Sequence, residues 1–466
     1  MSTPLKVTPY PYQSEGIAQG LKWKRFFLAD EPGLGKTLQS IGIIHAAGAW
    51  PCLVICPSSL KINWQREVEK FTDAKALVLT DAVRTTWPYL VQMRMFQYII
   101  VNYESLRKYF VWDIKGGKSF RLRDVVFCPQ IRLFRSVIID ESHRVKDATT
   151  QQAKFAKGLA AGKEYIILLS GTPVVNRPAD LVAQLSIMDR LKDFGGRGQF
   201  LLDYAQGEHE ASNLDELSRR LYATCLLRRE KAKVLTQLPA KTRVDLYVDI
   251  ANREEYDTAA GDLAQYLRDY KQCSEPEIRR KMRMEALVRF MALRGIAARG
   301  KVAQAADFIR TVTDSGQPLV VFCSLHDIVD ELHRLFPRAV TVTGRDNAVM
   351  KQAAVDAFQQ GRTRLIICSI KAAGVGLTLT AASRVAFIEF PWTYADCQQC
   401  EDRCHRIGQR DNVTCYYLIG RGTIDRKLYQ IIYDKRAVAN QVMAADDEIP
   451  TDTLYFDELA EAFLHE

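Results

Sequence analysis

The 466-residue sequence contains no run of 18 consecutive apolar residues, which argues against a transmembrane helix. Its first residues lack the apolar segment of a secretory signal, so we do not expect secretion. It also has no low-complexity tract and no repeat of fixed period. A hydrophobic share of 47% and a charged share of 26% exclude a disordered or collagen-like chain. The composition is that of a globular protein, and at about 150 residues per domain the length predicts roughly three domains, or two domains with inserts.

The cysteines lack the regular spacing of a disulfide framework, and their number, 11, is odd. We therefore expect reduced thiols in a cytosolic compartment. Cys397, Cys400 and Cys404 suggest a metal site, with His405 or Cys415 as a fourth ligand. We favour the alternative, in which these small apolar side chains pack into a core. No zinc or iron–sulfur site is expected.

Positive charge is scarce at one end of the chain. Residues 445–466 contain eight acidic residues and no Lys or Arg. The remainder has 64 Lys and Arg against 47 Asp and Glu, a net charge of +17. A basic body favours a polyanionic partner. The acidic tail is either a solvated terminus, which we favour, or a segment that docks on the basic body and restrains it.

Short apolar runs alternate with amphipathic stretches over residues 1–186 and again over 301–444. The predicted strands are 26–29, 53–56, 76–79, 98–101, 137–139, 165–169, 319–323, 339–342, 365–368, 385–388 and 414–418. Alternation of strands and helices predicts an α/β fold with parallel sheets covered on both faces. Residues 187–300 predict a mainly helical insert and linker between two such lobes.

A glycine-rich turn follows the first predicted strand and precedes a helical pattern. Gly33 and Gly35 would let backbone N–H groups turn toward phosphate oxygens. Lys36 would reach the β- and γ-phosphates, and the Thr37 hydroxyl would ligate Mg²⁺. Asp30 stands where the strict pattern has glycine. The segment nevertheless predicts a phosphate-binding loop.

Two acidic residues follow the predicted strand 137–139. An acid at the carboxyl end of a parallel strand points into the ligand crevice. Asp140 could hold Mg²⁺ through water, and Glu141 could polarise the attacking water. The alternative is an acidic helix cap, which is common at strand ends. The phosphate loop upstream favours the catalytic interpretation.

These two segments resemble motifs I and II of the superfamily-two helicase-like ATPases. Other segments follow in the family's order, namely 12–13, 56–64, 102–105, 169–173 with Asn176, 321–331, 373–379 and 399–409. The segments 405–409 and 228–241 are similar to the Swi/Snf-like branch. The residues of segments 57–60 and 140–143 resemble those of the annealing-helicase, or fork-remodelling, subgroup. The resemblance covers nearly the whole chain.

The resemblance implies two RecA-like lobes that close on ATP and Mg²⁺. It implies that Gln13 recognises adenine and that Gly376 belongs to the nucleotide site. It further implies that Arg403 and Arg406 of the second lobe act as arginine fingers on the γ-phosphate. The two arginines are three residues apart, so a helix would present both on one face.

The resemblance also implies a path for duplex DNA across both lobes. The predicted contacts, mostly to phosphates, are Ser58, Lys61, Asn63, Tyr103, Ser369 and Lys371. For each of these residues alone, plain surface polarity is the alternative. Ser170 and Thr172 would couple the nucleotide site to DNA, although a simple turn before Pro173 would have the same sequence.

The leading hypothesis is a DNA-stimulated ATPase that translocates on double-stranded DNA and remodels DNA or protein–DNA complexes. Fork remodelling and annealing are implied by the subgroup resemblance. The alternatives are a strand-separating helicase, a nucleotide-gated DNA-binding switch with little turnover, and a chromatin remodeller. We expect double-stranded or branched DNA as partner and no membrane. We expect a cytoplasmic location in a prokaryotic or phage-infected cell, or a nuclear one in a eukaryote.

Overall fold

The computed structural model describes residues 5–117, 119–171, 178–205, 213–235, 237–272, 275–373, 377–391, 394–430, 460 and 463–464. The predicted acidic tail therefore lies almost entirely outside the described residues. Among those residues, the chain divides into two compact units, with the first ending before Gln237 and the second beginning there. This division falls inside the range 187–300, so the segment predicted as one helical insert and linker belongs partly to each unit.

The first unit contains a seven-stranded sheet and a separate two-stranded one. Its strands are β1 (Arg25–Leu28), β2 (Cys52–Cys56), β3 (Ala76–Val78), β4 (Tyr98–Asn102), β5 (Val111–Ile114), β6 (Val125–Phe127), β7 (Ser136–Asp140), β8 (Tyr165–Leu169) and β9 (Leu226–Leu227). The large sheet has the order β3-β4-β2-β7-β8-β1-β9, and its neighbouring strands are parallel. Strands β5 and β6 form an antiparallel hairpin.

Helices cover this sheet because its central strands are apolar on both faces. The helices are α1 (Pro11–Trp23), α2 (Lys36–Ala47), α3 (Lys61–Phe71), α4 (Trp87–Gln92), α5 (Leu106–Phe110), α6 (Gln151–Ala160), α7 (Asp180–Ile187), α8 (Gly196–Tyr204), α9 (Leu214–Thr224) and α10 (Lys231–Val234). All five residues of β2, of β4 and of β8 are buried. Continuous apolar runs of this kind suit a parallel sheet covered on both sides.

The second unit contains a six-stranded sheet, again with parallel neighbours. Its strands are β10 (Lys241–Val248), β11 (Leu319–Cys323), β12 (Val340–Val342), β13 (Leu365–Ser369), β14 (Arg384–Phe387) and β15 (Val413–Gly420), in the order β10-β15-β14-β11-β13-β12. Its helices are α11 (Arg253–Gln272), α12 (Pro276–Asp314), α13 (His326–Leu335), α14 (Ala348–Gln359), α15 (Ile370–Ala373) and α16 (Tyr394–Glu401). The predicted fold class of two parallel-sheet lobes is confirmed.

The predicted strands are all present, within one or two residues of their expected bounds. The sequence patterns missed four others. Strands β5, β6 and β9 have only two to four residues, too few for a period to be recognised. Strand β10 lies at the sheet edge and is only partly buried along its length, so it lacks the apolar run of its neighbours.

The cysteines singled out by the sequence lie in the core of the second unit. Cys397, Cys400, Cys404 and Cys415 are each at most 1% exposed and belong to one apolar cluster. Burial raises the pKa of these thiols, whereas metals bind the thiolate. Within the described part of the chain, no group of three or more His, Cys, Asp or Glu residues is arranged to hold a metal ion. In the same part, no helix is long and apolar enough to span a membrane.

Candidate nucleotide site and its neighbours

The turn between β1 and α2 has the backbone geometry of a phosphate cradle. Gly33 and Gly35 have φ angles of 90° and 76°, in the left-handed region that favours glycine. Among the described residues, the backbone N–H groups of Gly33, Gly35 and Lys36 donate to no protein acceptor. Donors that converge at the start of a helix form an anion site. The turn therefore fits the phosphates of a nucleotide.

Gln13, predicted to recognise adenine, lies beneath this turn with its side chain buried. Its amide Nε2 donates to the carbonyl oxygen of Leu34 at 3.1 Å, and its Oε1 accepts from the backbone N–H of Tyr10 at 3.0 Å. A Cβ at Gly35 would lie 2.4 Å from the same Nε2, so the glycine also makes room for Gln13. In this conformation the amide shapes the loop, and adenine recognition stays a prediction.

Lys36 lies half-buried at the start of α2. Its ammonium donates to the carbonyl oxygen of Asp30 at 2.5 Å. Burial lowers the pKa of Lys36, while the carboxylates of Glu141, Asp30 and Asp140 act in the opposite direction. A cation that is partly desolvated and makes a single hydrogen bond to a described residue can still bind a phosphate oxygen.

Asp140 ends β7, and Glu141 follows it with a φ of 53°. Burial, with a smaller contribution from Glu141, raises the pKa of Asp140 to about 7, and the Trp64 hydrogen bond and Lys36 counteract this. The Glu141 carboxylate lies 3.4 Å from Nδ1 of His143, which is also 3.4 Å from the Ser170 hydroxyl. These contacts bring the predicted metal ligand, the predicted base and Ser170 to the same sheet edge as Lys36.

Two aromatic side chains position Asp140, and the sequence patterns did not reveal this role. The indole N–H of Trp64, on α3, donates to Oδ2 of Asp140 at 2.8 Å. The hydroxyl of Tyr103 donates to the Asp140 carbonyl oxygen at 2.5 Å. Tyr103 was predicted to contact DNA, but its side chain is only 1% exposed. The structure therefore corrects that assignment, because the hydroxyl is used inside the protein.

Asp30 explains why the phosphate loop departs from the strict pattern. Its carboxylate is fully buried and accepts two hydrogen bonds from Arg229, at 3.0 and 2.7 Å. Gln39 donates to the same carboxylate at 2.9 Å. Arg229 also donates to the carbonyl oxygen of Tyr12. The planar guanidinium of an arginine can donate two parallel hydrogen bonds to one carboxylate, as it does here. Arg229 thus connects the segment after β9 to the phosphate loop.

In the second unit, Arg403 and Arg406 do not share a helix as predicted. Helix α16 ends at Glu401, and the arginines lie in the turns that follow. Glu401 is held there by Lys241 at 2.8 Å and by Arg243 at 2.6 Å. Burial opposes ionisation, but these two cations hold the pKa of Glu401 below its usual range. Arg403 is 7% exposed, and Arg406 donates to the carbonyl oxygen of Leu377 at 3.2 Å.

The other predicted residues differ in accessibility. Ser58 and Lys371 are exposed, Lys61 and Asn63 are half-buried, and Ser369 is 4% exposed at the end of β13. Ser58, Lys61 and Asn63 follow β2, so they lie at the carboxyl edge of the first sheet, the edge that also carries the phosphate loop after β1. Thr172, Asn176 and Gly376 lie outside the described residues.

A parallel sheet with a phosphate loop and a strand-end acidic pair, followed by a second parallel sheet, is the arrangement of a helicase-like nucleotide-binding protein. Comparison with protein families agrees with this class. The SNF2-related domain model matches residues 12–298, and the helicase conserved C-terminal domain model matches residues 300–408. The chain belongs to the SNF2-related family.

Several curated proteins are similar over nearly the whole chain. A Caenorhabditis elegans homolog of SWI/SNF-related matrix-associated actin-dependent regulator of chromatin subfamily A-like protein 1 is 30% identical over 95% of this chain and 63% of its own length. The Homo sapiens DNA annealing helicase and endonuclease ZRANB3 is 29% identical over 94% of this chain and 41% of its own length. The chain thus spans between about two fifths and two thirds of these relatives. The Sulfolobus solfataricus SWI2/SNF2 ATPase core in complex with dsDNA is 24% identical over 98% of each chain, with a TM-score of 0.43.

Proposed function

We propose that this chain is a DNA-stimulated ATPase that translocates on double-stranded DNA and remodels DNA or protein–DNA complexes. One observation carries the proposal. Backbone N–H groups of the phosphate loop that donate to no acceptor among the described residues lie at the carboxyl edge of the first sheet, together with Lys36 and the Asp140–Glu141 pair. This edge is where open parallel sheets bind ligands.

ATP with Mg²⁺ fits the residues at this edge. The glycine turn offers N–H donors to phosphate oxygens, and Lys36 would neutralise their charge. Thr37 and Asp140 would hold Mg²⁺, and the Asp140 carboxylate is already oriented by Trp64 and by the Glu141 backbone N–H at 3.0 Å. Bound Mg²⁺ would neutralise charge on the phosphates. Glu141 would orient the attacking water and accept its proton.

Arg403 and Arg406 are proposed to supply the remaining positive charge when the second unit closes on the nucleotide. Both follow α16 in turns held by the ion pairs of Glu401. A fixed guanidinium suits this task because its stabilisation of the transition state depends on preorganised position.

Duplex DNA is the proposed partner, since the chain carries a net charge of +9 and residues 1–444 carry more. Ser58, Lys61 and Asn63 on the first unit, with Ser369 and Lys371 on the second, are the proposed phosphate contacts. Contacts to phosphate carry no sequence information, so binding should be independent of sequence and sensitive to salt.

Fork remodelling or strand annealing is the finer part of the proposal. It is supported by the resemblance of segments 57–60 and 140–143 and by the name of the human relative. The curated relatives reported above come from animals, so they give no support to a prokaryotic or phage host. A nuclear location is proposed for a eukaryotic source.

The first test is ATP hydrolysis at fixed salt with no nucleic acid, single-stranded DNA, duplex DNA, forked DNA or duplex RNA. Strong stimulation by duplex or forked DNA is the expected result. Stimulation by single strands alone would favour a strand-separating helicase instead. Nucleotide and DNA binding without turnover would favour a nucleotide-gated switch.

Glu141→Gln tests the assignment of the base. The variant should bind ATP and DNA like the wild type, because the amide keeps the shape of the carboxylate. Hydrolysis should fall about 100-fold, since the amide cannot accept the proton of the attacking water. Binding of a fluorescent ATP analogue and single-turnover hydrolysis measure the two properties separately. A wild-type rate would show that another group activates the water.

A further inference from the structure

The hairpin of β5 and β6 presents a tryptophan to solvent. Trp112 is 66% exposed, and among the tryptophans that the structure describes it is the one with an exposed side chain. The strand register shifts between Val111 and Asp113, so Trp112 is the extra residue of a β-bulge. Bulges re-aim side chains and are common beside functional sites. An indole left in water at such a position is a candidate contact residue.

Cations surround this tryptophan in the sequence. Residues 107–135 contain eight Lys or Arg and two Asp, a net charge of +6, against +9 for the whole chain. Lys115, Arg121, Arg123 and Arg132 are exposed. Within the described ranges, no ion pair involves Lys115, Arg121 or Arg132, and Arg123 pairs only with its neighbour Asp124 at 3.8 Å. The hairpin therefore attracts a polyanion.

Aromatic packing fixes the base of the hairpin to the body of the first unit. The rings of Phe120 and Phe127 lie 6.0 and 6.5 Å from that of Phe155 on α6. A Cβ at Gly158, also on α6, would lie 2.2 Å from the Phe127 ring, so the hairpin and the helix approach closely. The exposed tryptophan thus stands on a rigid base, which lowers the ordering cost of binding.

The hairpin begins close to the proposed DNA contacts. Strand β4 is the neighbour of β2 in the sheet, and both end at the same edge. The segment 58–63 follows β2, whereas α5 and the hairpin follow β4. Tyr103, which contacts the Asp140 carbonyl oxygen, lies nine residues before Trp112. A DNA strand on this edge can therefore reach the hairpin.

We propose that the β5–β6 hairpin binds unpaired nucleotides at a branch or end of the DNA, with a base stacked on Trp112 and phosphates near Lys115, Arg121 and Arg123. The inference rests on the proposed function, because it assumes that the chain binds DNA. A π-face within a basic surface matches the two parts of a nucleotide. Paired bases are stacked on each other, so only an unpaired base offers a free face to the indole.

The test uses the full chain and forked DNA that carries 2-aminopurine at the first unpaired position. Trp112→Ala should weaken fork binding about tenfold, the usual effect of losing one stacked base, and leave binding to blunt duplex unchanged. Binding should quench 2-aminopurine fluorescence for the wild type and for Trp112→Phe, but not for Trp112→Ala. Tyr89→Ala removes an equally exposed aromatic side chain, also 66% exposed, from α4 and is the matched control.

The cations give a second, separate readout. Lys115→Gln combined with Arg121→Gln should weaken fork binding and lower the slope of log affinity against log salt by about two. The 2-aminopurine quenching at saturating protein should persist, because the indole is intact. Thermal unfolding of each variant establishes that it is folded, as expected for substitutions of exposed side chains.

Two results would overturn the inference while leaving the proposed function intact. In the first, DNA stimulates ATP hydrolysis by the wild-type chain, but Trp112→Ala binds forked DNA as tightly as the wild type. In the second, Tyr89→Ala loses as much affinity for forked DNA as Trp112→Ala. If Trp112→Ala binds forked DNA normally but no longer binds polyglutamate, the first of these results is explained by a hairpin that binds an acidic protein instead of DNA. A wild-type chain that binds none of the DNAs would instead contradict the proposed function itself.

Discussion

The two parallel sheets have similar architecture, but the loops at their carboxyl edges use polar groups in opposite ways. In the first unit, the backbone N–H groups of Gly33, Gly35 and Lys36 are free of acceptors among the described residues. In the second unit, the backbone N–H groups of Ser324 and Leu325, which follow β11, both donate to the buried Glu389, at 2.9 and 3.1 Å. These two backbone donors of the second loop therefore already have an acceptor within the protein.

Two lysines show the same contrast. Lys36 makes one hydrogen bond within the described part of the chain, to a carbonyl oxygen, and remains half-buried. Lys301 is fully buried and donates to the carbonyl oxygens of Ile388 and Leu418 and to Asp425 at 2.6 Å. All three of its donors are used. The comparison shows that a fold supplies positions, whereas unsatisfied polar groups identify which position binds a ligand.

The largest expected effect comes from exchanging each lysine for methionine. Lys36→Met should lower DNA-stimulated ATP hydrolysis at least about 100-fold if, as proposed, the cation binds the phosphate, while thermal stability stays near that of the wild type. Lys301→Met should instead lower the free energy of unfolding by about 3–5 kcal/mol, because Asp425 is left buried without its partner. Urea unfolding and steady-state ATP hydrolysis measure the two effects.

The contrast between the lysines fails if both variants lose stability equally, or if Lys301→Met removes hydrolysis from protein that is still folded. Equal losses of stability would show that Lys36 also supports the fold, whereas loss of hydrolysis by folded Lys301→Met would show that the buried Lys301 also supports ATP hydrolysis.

A smaller effect is expected from Arg229→Lys. Lysine cannot make the two parallel hydrogen bonds to Asp30, so the phosphate loop loses a support and KM for ATP should rise about tenfold. Arg243→Lys is the matched control in the second unit, since Arg243 also binds a buried carboxylate with two nitrogens, at 2.6 and 2.7 Å. It should lower stability and, because Arg243 supports the turns of Arg403 and Arg406 through Glu401, lower kcat rather than raise KM for ATP. Equal KM values for the wild type and Arg229→Lys would mean that Arg229 serves the fold alone.

Trp64→Phe should have a still smaller effect. Phenylalanine keeps most of the packing but removes the N–H that orients Asp140. The Mg²⁺ concentration for half-maximal hydrolysis should rise about fivefold, while the rate at saturating Mg²⁺ and the melting temperature change little. A titration with Mg²⁺ at fixed ATP measures this midpoint. A lowered maximal rate with an unchanged midpoint would argue against a role through the metal ligand.

The smallest effect concerns Glu389 in the second unit. Burial raises the pKa of this carboxyl, although the backbone N–H groups of Ser324 and Leu325 and the cations nearby favour its ionised form. A raised pKa gives stability that is present below the ordinary carboxyl pKa and is lost as pH rises through the folded-state value. Glu389→Gln should therefore stabilise the protein at pH 8 and have less effect near pH 4, because the amide does not ionise. Thermal unfolding at both pH values tests the sign, and a destabilised variant at pH 8 would contradict it.

Most strands of both large sheets were predictable from the sequence, because the residue patterns that indicate them lie within short segments. Strands such as β8 are uninterrupted apolar runs, and the glycines before Lys36 fix the turn by their own conformational freedom. The same holds for the acidic pair after β7. The short strands β5 and β6 carry no recognisable period, so the exposed position of Trp112 could be found only in the structure.

The partners of the site residues were not predictable, because they are distant in sequence. The Trp64–Asp140 hydrogen bond joins residues 76 positions apart, and the Arg229–Asp30 pair joins residues 199 positions apart. The sequence pattern gave Tyr103 the wrong role, because a tyrosine after a strand has the same sequence pattern whether its side chain is buried or exposed. The burial of its side chain decides the question.

The sequence by itself determined the family and the parallel-sheet lobes, and it identified the residues proposed to bind phosphate and metal. These depend on residue types within short segments, such as the glycine turn before Lys36 and the strand end at Asp140. Only the tertiary structure decided which polar groups are satisfied by the protein and which remain open. Hydrogen bonding and burial arise when distant segments meet, so all three donors of Lys301 are used, whereas Lys36 makes a single hydrogen bond to the residues that the structure describes.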